Sequence, residues 1–337
     1  MEAYLFEKRV EDTVHCTLCS HRCSIKPGKR GLCHVRENRE GVLHTNVYGK
    51  VIARHVDPIE KKPLFHIYPG SLSYSIATVG CNFRCRFCQN ADIAQMPFEH
   101  NGRVTGDLAT PEDVVRAAAA ANCRTIAYTY TEPTVYFEFA YDTAKLAREA
   151  GLLNVFVSNG YMTAEALTMI GPYLDAANVD LKAFDDAFYK SYCGARLEPV
   201  KETLILMKSL GVFLEVTTLI IPGLNDGRQE LESLAAFLAE SVGPETPWHI
   251  SRFHPTYKMM DRPPTPLQTL LKARKIGLDA GLRYVYTGNV PGETSESTFC
   301  YHCGKKVIDR WGFSIRKYAI EHGKCPDCGE KIDGIGM

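Results

Sequence analysis

The chain has 337 residues, 45% of them hydrophobic and 23% charged, and its 39 basic and 39 acidic side chains cancel. A neutral total gives no global attraction for nucleic acid or an anionic membrane, and no apolar run approaches the roughly 20 residues that span a bilayer. The compositional anomaly is 13 cysteines, four of them in 16–33, three in 81–88 and four in 300–328. Residues 1–10 carry Glu2, Glu7, Lys8 and Arg9 where a secretory signal is apolar, so a cytoplasmic protein is expected. Grouped cysteines without such a signal read as metal ligands rather than disulfides, which predicts a metal-rich, oxygen-sensitive protein.

Residues 1–70 read as a small separate module. Cys16, Cys19, Cys23 and Cys33, with Pro27-Gly28 and Gly31 among them, place four thiolates on a turn-rich loop. Four thiolates favour a closed structural site, zinc ahead of a second [4Fe–4S] cluster. Short alternating stretches follow over 42–56, and the polar, proline-bounded run 57–64 reads as the connection into the main domain.

From residue 71 strand and helix alternate. Strands are predicted at 72–79, 125–130, 153–157, 178–181, 213–219 and 249–253, with 284–286 as a seventh candidate. Helices are predicted at 111–121, 133–150, 163–170, 196–210, 226–241 and 266–280. Thr110-Pro111-Glu112-Asp113 sets an N-cap threonine before a proline at the first helical position. Asp226 with Gln229 suits a capping box, and Gly151 and Gly211 stand where helices stop. Such units predict a parallel sheet covered by helices, and six of them suit an open partial barrel. Its ligand then lies at the carboxyl ends of the strands. Polar residues recur there: Thr129 to Glu132, Ser158 and Asn159, Asp180 and Lys182, Glu215 with Thr217 and Thr218, and Arg252 with His254. Together they predict a shared pocket.

The loop after the first of these strands, 80–90, carries Cys81, Cys85 and Cys88 at C-x3-C-x2-C. A structural ion wants four protein ligands, and a cubane cluster has four irons to ligate. Three thiolates leave one iron open to a small molecule, and the next cysteine is Cys123. The alternatives are a zinc knuckle with a distant ligand, or reduced core cysteines.

This C-x3-C-x-aromatic-C pattern resembles the cluster motif of the radical S-adenosylmethionine (SAM) superfamily. The resemblance implies a partial (β/α)6 barrel over 71–290 and a [4Fe–4S] cluster on Cys81, Cys85 and Cys88 whose fourth iron chelates SAM. It also implies reductive cleavage of SAM to a 5′-deoxyadenosyl radical that abstracts hydrogen from a substrate. Phe87 then lies beside the cofactor, and Glu132 meets the SAM amino group. Thr129-Tyr130-Thr131-Glu132-Pro133 stands where the family has Gly-Gly-Glu-Pro, so Tyr130 and Thr131 replace glycines. Ser158 and Asn159 face the ribose, while Lys182 and His254 reach the SAM carboxylate. Val157 stands where glycyl-radical enzyme activases have an aspartate. A flavodoxin or ferredoxin is implied as electron donor.

Cys193 lies after the fourth unit, near the expected mouth. A thiol there would donate a hydrogen atom to a substrate radical or capture it; a structural cysteine is the other reading. Cys123 reads as core. In the C-terminal module, 291–337, Cys300, Cys303, Cys325 and Cys328 form two C-x2-C-G knuckles with the spacing of a zinc ribbon, and structural zinc is preferred to an auxiliary cluster. Trp311, Phe313 and Tyr318 read as the ribbon's small core. Lys305, Lys306, Arg310, Arg316 and Lys317 leave a docking role for nucleic acid or protein open.

With its cysteine-rich ends the whole chain resembles the AmmeMemoRadiSam-system radical SAM enzymes, relatives of pyruvate formate-lyase activating enzyme. That resemblance implies Memo-type and AMMECR-type partner proteins and names no substrate. A glycyl-radical enzyme activase is the second reading, and a non-catalytic metal-stabilised binding module the third.

Overall fold

The computed structural model describes every residue of the chain except 291 and 293; the predicted start of the C-terminal module falls on the first of these and lies outside the described residues. Its centre is an eight-stranded sheet in the order Val285–Gly288, Trp248–Arg252, Phe213–Ile220, Ala176–Asp180, Leu153–Ser158, Thr125–Tyr128, Leu72–Ala77, Ala53–Pro58. The seven strands from residue 72 onward are parallel, and Ala53–Pro58 adds to Leu72–Ala77 in antiparallel sense. The two end strands do not pair with each other, so this is an open, partial α/β barrel. Strands Thr125–Tyr128 and Ala176–Asp180 are buried along nearly their whole length, as in parallel sheets covered on both faces.

The covering helices are Pro111–Ala120, Phe137–Glu149, Ala164–Ile170, Glu198–Ser209, Arg228–Phe237 and Leu267–Asp279. Thr110 and Asp113 form the predicted reciprocal cap, Asp113 N to Thr110 Oγ1 at 3.2 Å and Thr110 N to Asp113 Oδ2 at 3.0 Å. Gly151 and Gly211 follow their helices with φ of +74° and +80°, where a Cβ would be strained. The predicted cap at Asp226 is corrected: the cap residue is Gly227, and Asp226 Oδ1 accepts Gly223 N at 2.8 Å instead. The carboxylate closes the preceding turn rather than the helix.

Glu215 also needs correction. It lies two residues into an eight-residue strand, hence at the amino end of the barrel, opposite the site. Its carboxylate accepts His66 N at 2.8 Å and meets His249 Nε2 at 2.6 Å. With Phe65 and Tyr286 it plugs that end.

The N-terminal segment folds as a three-stranded antiparallel sheet, Phe6–Lys8, Val14–Cys16 and Ser24–Ile25, and a hairpin of Arg36–Arg39 with Val42–Thr45. It docks on helix Phe137–Glu149 through the buried pair Arg36–Glu138, 2.5 Å apart, and through Tyr48 Oη to Asp142 at 2.7 Å. At the other end, Thr298–Phe299, Lys306–Trp311 and Ser314–Tyr318 make a second small sheet. Its core is Val307, Ile308, Ile320 and Cys300, packed with Phe65, Tyr284 and Tyr286. Trp311, Phe313 and Tyr318, predicted to be that core, are exposed. Arg310 takes an inward place there, donating to Phe65 O at 2.7 Å and to Thr298 Oγ1 at 2.6 Å. No helix is long and apolar enough to cross a membrane, among the described residues.

Candidate active site

The loop carrying Cys81, Cys85 and Cys88 leaves strand Leu72–Ala77 at its carboxyl end. Gly80 makes the bend at φ +106°, and a Cβ there would meet Val35 Cγ1 at 2.8 Å, so any other residue would be strained. The backbone beyond is fixed from several sides. Arg84 N and Arg86 N donate to the carbonyls of Cys193 and Tyr192 at 2.7 and 2.9 Å. Gln95 Nε2 donates to Phe83 O at 3.1 Å, and His21 Nε2 meets Asn82 O at 2.8 Å. Arg84 reaches back to the carbonyl of Leu32 in the N-terminal segment.

The three thiols are suited to a polynuclear centre. Cys81 Sγ lies 3.3 Å from Phe83 N and 3.7 Å from Asn159 Nδ2, two N–H groups that favour thiolate. Burial pushes this thiol well up as long as it carries a proton, a cost that metal coordination removes. Among the described residues only the C-terminal cysteines form a group of three or more ligand atoms that all lie within 4.8 Å of one another. Cys81, Cys85 and Cys88 do not form such a group, which suits ligands to separate irons of a cluster.

Glu132 sits behind them, fully buried. Its Oε1 accepts Thr134 N, Thr134 Oγ1 and Ser158 Oγ at 3.0, 2.6 and 2.8 Å, and its Oε2 accepts Asn159 N at 2.8 Å. Burial nevertheless pushes its carboxyl above the ordinary value. Four donors occupy the carboxylate, so its evident work is to position the 158–159 turn. Asn159 then passes that order on, donating to Asn82 Oδ1 at 2.8 Å as well as facing Cys81. Where the family pattern has glycine, Tyr130 takes φ +62°. This conformation is costly for a tyrosine and is held by Tyr130 Oη to Asp57 at 2.5 Å and Asn90 Nδ2 to Tyr130 O at 2.7 Å.

Lys182, just past strand Ala176–Asp180, pairs with Asp180 at 2.6 Å. Burial would lower its pKa, but Asp180 and the Cys85 thiol hold it above the usual lysine range. Phe87 is buried with its ring 5.8 Å from that of Phe188. His254 stands exposed beyond strand Trp248–Arg252. Cys193 is fully buried at the end of the π-helical turn Tyr189–Cys193 and lies against Cys85, not at an open mouth.

Sequence reasoning missed Asn82 and Gln95, both buried. Their only sequence signal is proximity to the cysteines; their roles depend on partners elsewhere in the chain. The C-terminal cysteines form a group that can hold one metal ion, with Cys300–Cys328 and Cys303–Cys325 each 3.6 Å apart.

A thiol loop at the carboxyl edge of an open parallel barrel, backed by a carboxylate–amide relay and a half-buried lysine, is the arrangement of a radical SAM enzyme. The chain carries a radical SAM domain: the model described as the Radical SAM superfamily matches residues 75–238, which hold the loop, Glu132, the 158–159 turn and Lys182. An uncharacterised protein of Methanocaldococcus jannaschii is 48% identical over 334 residues, 98% of each chain. The pyruvate formate-lyase-activating enzyme of Clostridium pasteurianum is 24% identical over 162 residues, 46% of this chain and 65% of that one. Among solved structures, Streptococcus suis SuiB bound to S-adenosylmethionine shares the fold with a TM-score of 0.50 at 13% identity, over 62% of this chain and 48% of that one.

Proposed function

We propose that the chain uses a [4Fe–4S] cluster on Cys81, Cys85 and Cys88 to cleave SAM reductively. The 5′-deoxyadenosyl radical so released abstracts hydrogen from a substrate that is not a feature of the fold. The observation that carries this is the three-thiol loop itself, clamped by Cys193 and Tyr192 carbonyls and with N–H donors already on Cys81. In this reading Glu132, through Ser158 and Asn159, fixes the pocket wall, and Lys182 supplies a cation for the SAM carboxylate in exchange for Asp180. Phe87 and His254 complete the cofactor's surroundings. The C-terminal cysteines hold structural zinc, supported by sulfur separations that match a tetrahedral ion. A flavodoxin- or ferredoxin-type donor and Memo-type or AMMECR-type partners belong to the same proposal.

The test is anaerobic. Protein reconstituted with iron and sulfide is given dithionite and SAM, and 5′-deoxyadenosine is measured against the Cys81→Ala/Cys85→Ala/Cys88→Ala variant. Product from the unaltered chain alone supports the reading; absence of any cluster on this loop sinks it. The activase named among the relatives favours a second reading, abstraction from a glycine on a protein loop. Hydrogen transfer from a glycyl-radical enzyme peptide into 5′-deoxyadenosine would select it.

A further inference from the structure

A second set of cysteines faces the same loop from the N-terminal side. Cys16, Cys19, Cys23 and Cys33 line a small pocket of about 20 Å³, walled by Leu18, Ile25 and Val135 and bordered by Arg36, His21 and Asn82. All four are free of disulfides.

The spacing of these thiols separates two kinds of occupant. A tetrahedral ion with metal–sulfur bonds of about 2.3 Å draws its ligands to about 3.8 Å from one another, close to the 3.6 Å seen between the C-terminal pairs. Among the described residues no three of the N-terminal thiols come within 4.8 Å of each other, and the same is true of Cys81, Cys85 and Cys88. The N-terminal set thus resembles the three-thiol loop and not the C-terminal group.

Two residues of this lining also carry buried N–H groups in want of an acceptor. Arg36 is buried and gives Nη2 to Glu138, but its Nε and Nη1 have no partner, and neither has Asn82 Nδ2. Dry, unpaired N–H groups are costly. The sulfides and thiolates of an anionic cluster would accept them.

We propose that Cys16, Cys19, Cys23 and Cys33 bind a second [4Fe–4S] cluster, with every iron ligated by protein. Asn82 is the wall between the two sites. It follows Cys81 in the chain, its Oδ1 receives Asn159 Nδ2, its carbonyl meets His21, its amide nitrogen is unpaired, and it is among the residues that line the N-terminal pocket. A cluster there takes one electron from a low-potential donor of the ferredoxin or flavodoxin class and passes it across this wall, with no bond or proton exchanged.

Metal and sulfide analysis of the anaerobically reconstituted full chain tests the assignment without turnover, and so independently of the radical reading. About eight irons and eight sulfides per chain are expected, with about one zinc. Cys19→Ala/Cys23→Ala halves the iron, Cys81→Ala/Cys85→Ala/Cys88→Ala halves it as well, and all five changes remove it. The reduced triple variant should retain a cluster resonance that SAM does not alter. About four irons with two zincs in the unaltered chain overturns the proposal, as does an iron count indifferent to Cys19 and Cys23.

Discussion

Replacing Glu132 by glutamine isolates the relay behind the cluster loop. A glutamine amide has one acceptor oxygen where the carboxylate has two. With that oxygen kept on Thr134 and Ser158, its NH2 group faces Asn159 N, which Glu132 Oε2 accepts at 2.8 Å. The reverse orientation forfeits three bonds instead of one. The first orientation therefore loses one hydrogen bond to a charged group and leaves Asn159 N–H and the new NH2 group facing each other with no acceptor, about 2–4 kcal/mol together. Burial already raises the Glu132 carboxyl, so removing its charge returns part of that cost and the lower end, about 2 kcal/mol, is expected. With an unfolding entropy of about 2.1 cal/mol/K per residue over 337 residues, each kcal/mol moves the melting temperature by about 1.4 °C, so it falls by about 3 °C. SAM affinity falls with it, because Asn159 loses its anchor beside Cys81. Anaerobic thermal melts and equilibrium SAM binding measure both, with Ser158→Ala, which removes a single donor, as the milder comparator. A melting temperature within about 1 °C of the unaltered protein, with unchanged SAM binding, would refute the relay.

Three further outcomes follow from positions that packing decides. Cys193→Ala removes a buried thiol at a cost of about 1 kcal/mol and keeps 5′-deoxyadenosine formation near the level of the unaltered chain; a collapse of product with the cluster intact would restore a hydrogen-donor role. Burial lowers the His66 imidazole to about 4, and it sits neutral between Asp333 O and Tyr286 Oη, 2.6 Å from each. The unfolded chain binds a proton near pH 6.5 that the folded chain refuses until pH 4, so this contribution is complete above pH 6.5 and falls by about 3 kcal/mol on acidification to pH 4. Denaturant titrations across that range should show a slope that His66→Gln flattens; equal slopes would contradict the assignment. Chelation of the C-terminal ion should strip hydrogen-exchange protection from Lys306–Trp311 and Ser314–Tyr318 while Thr125–Tyr128 keeps its own, because the ribbon has little core without its metal. Protection unchanged in both would mean that Arg310 and its carbonyl partners suffice.

The sequence by itself determined what covalent spacing and local periodicity control. Alternating runs and caps such as Thr110-Pro111 set the βα units, and C-x3-C-x2-C after a strand set the three-thiol loop, since eight consecutive residues keep those thiols in one neighbourhood. Polar residues just past strands located Glu132, the 158–159 turn and Lys182. Tertiary structure decided the rest. Glu215 and Thr217 share a strand, yet Glu215 lies toward its amino end, in the plug rather than at the site. Cys193 proved to lie under the loop because the Tyr189–Cys193 turn folds back against Arg84 and Arg86. Trp311 yielded the inward place to Arg310, whose guanidinium found carbonyl and hydroxyl partners 245 and 12 residues away. The meeting of the N-terminal cysteines with Asn82 is of the same kind. Which groups share a wall depends on contacts between distant segments, and no local pattern records them.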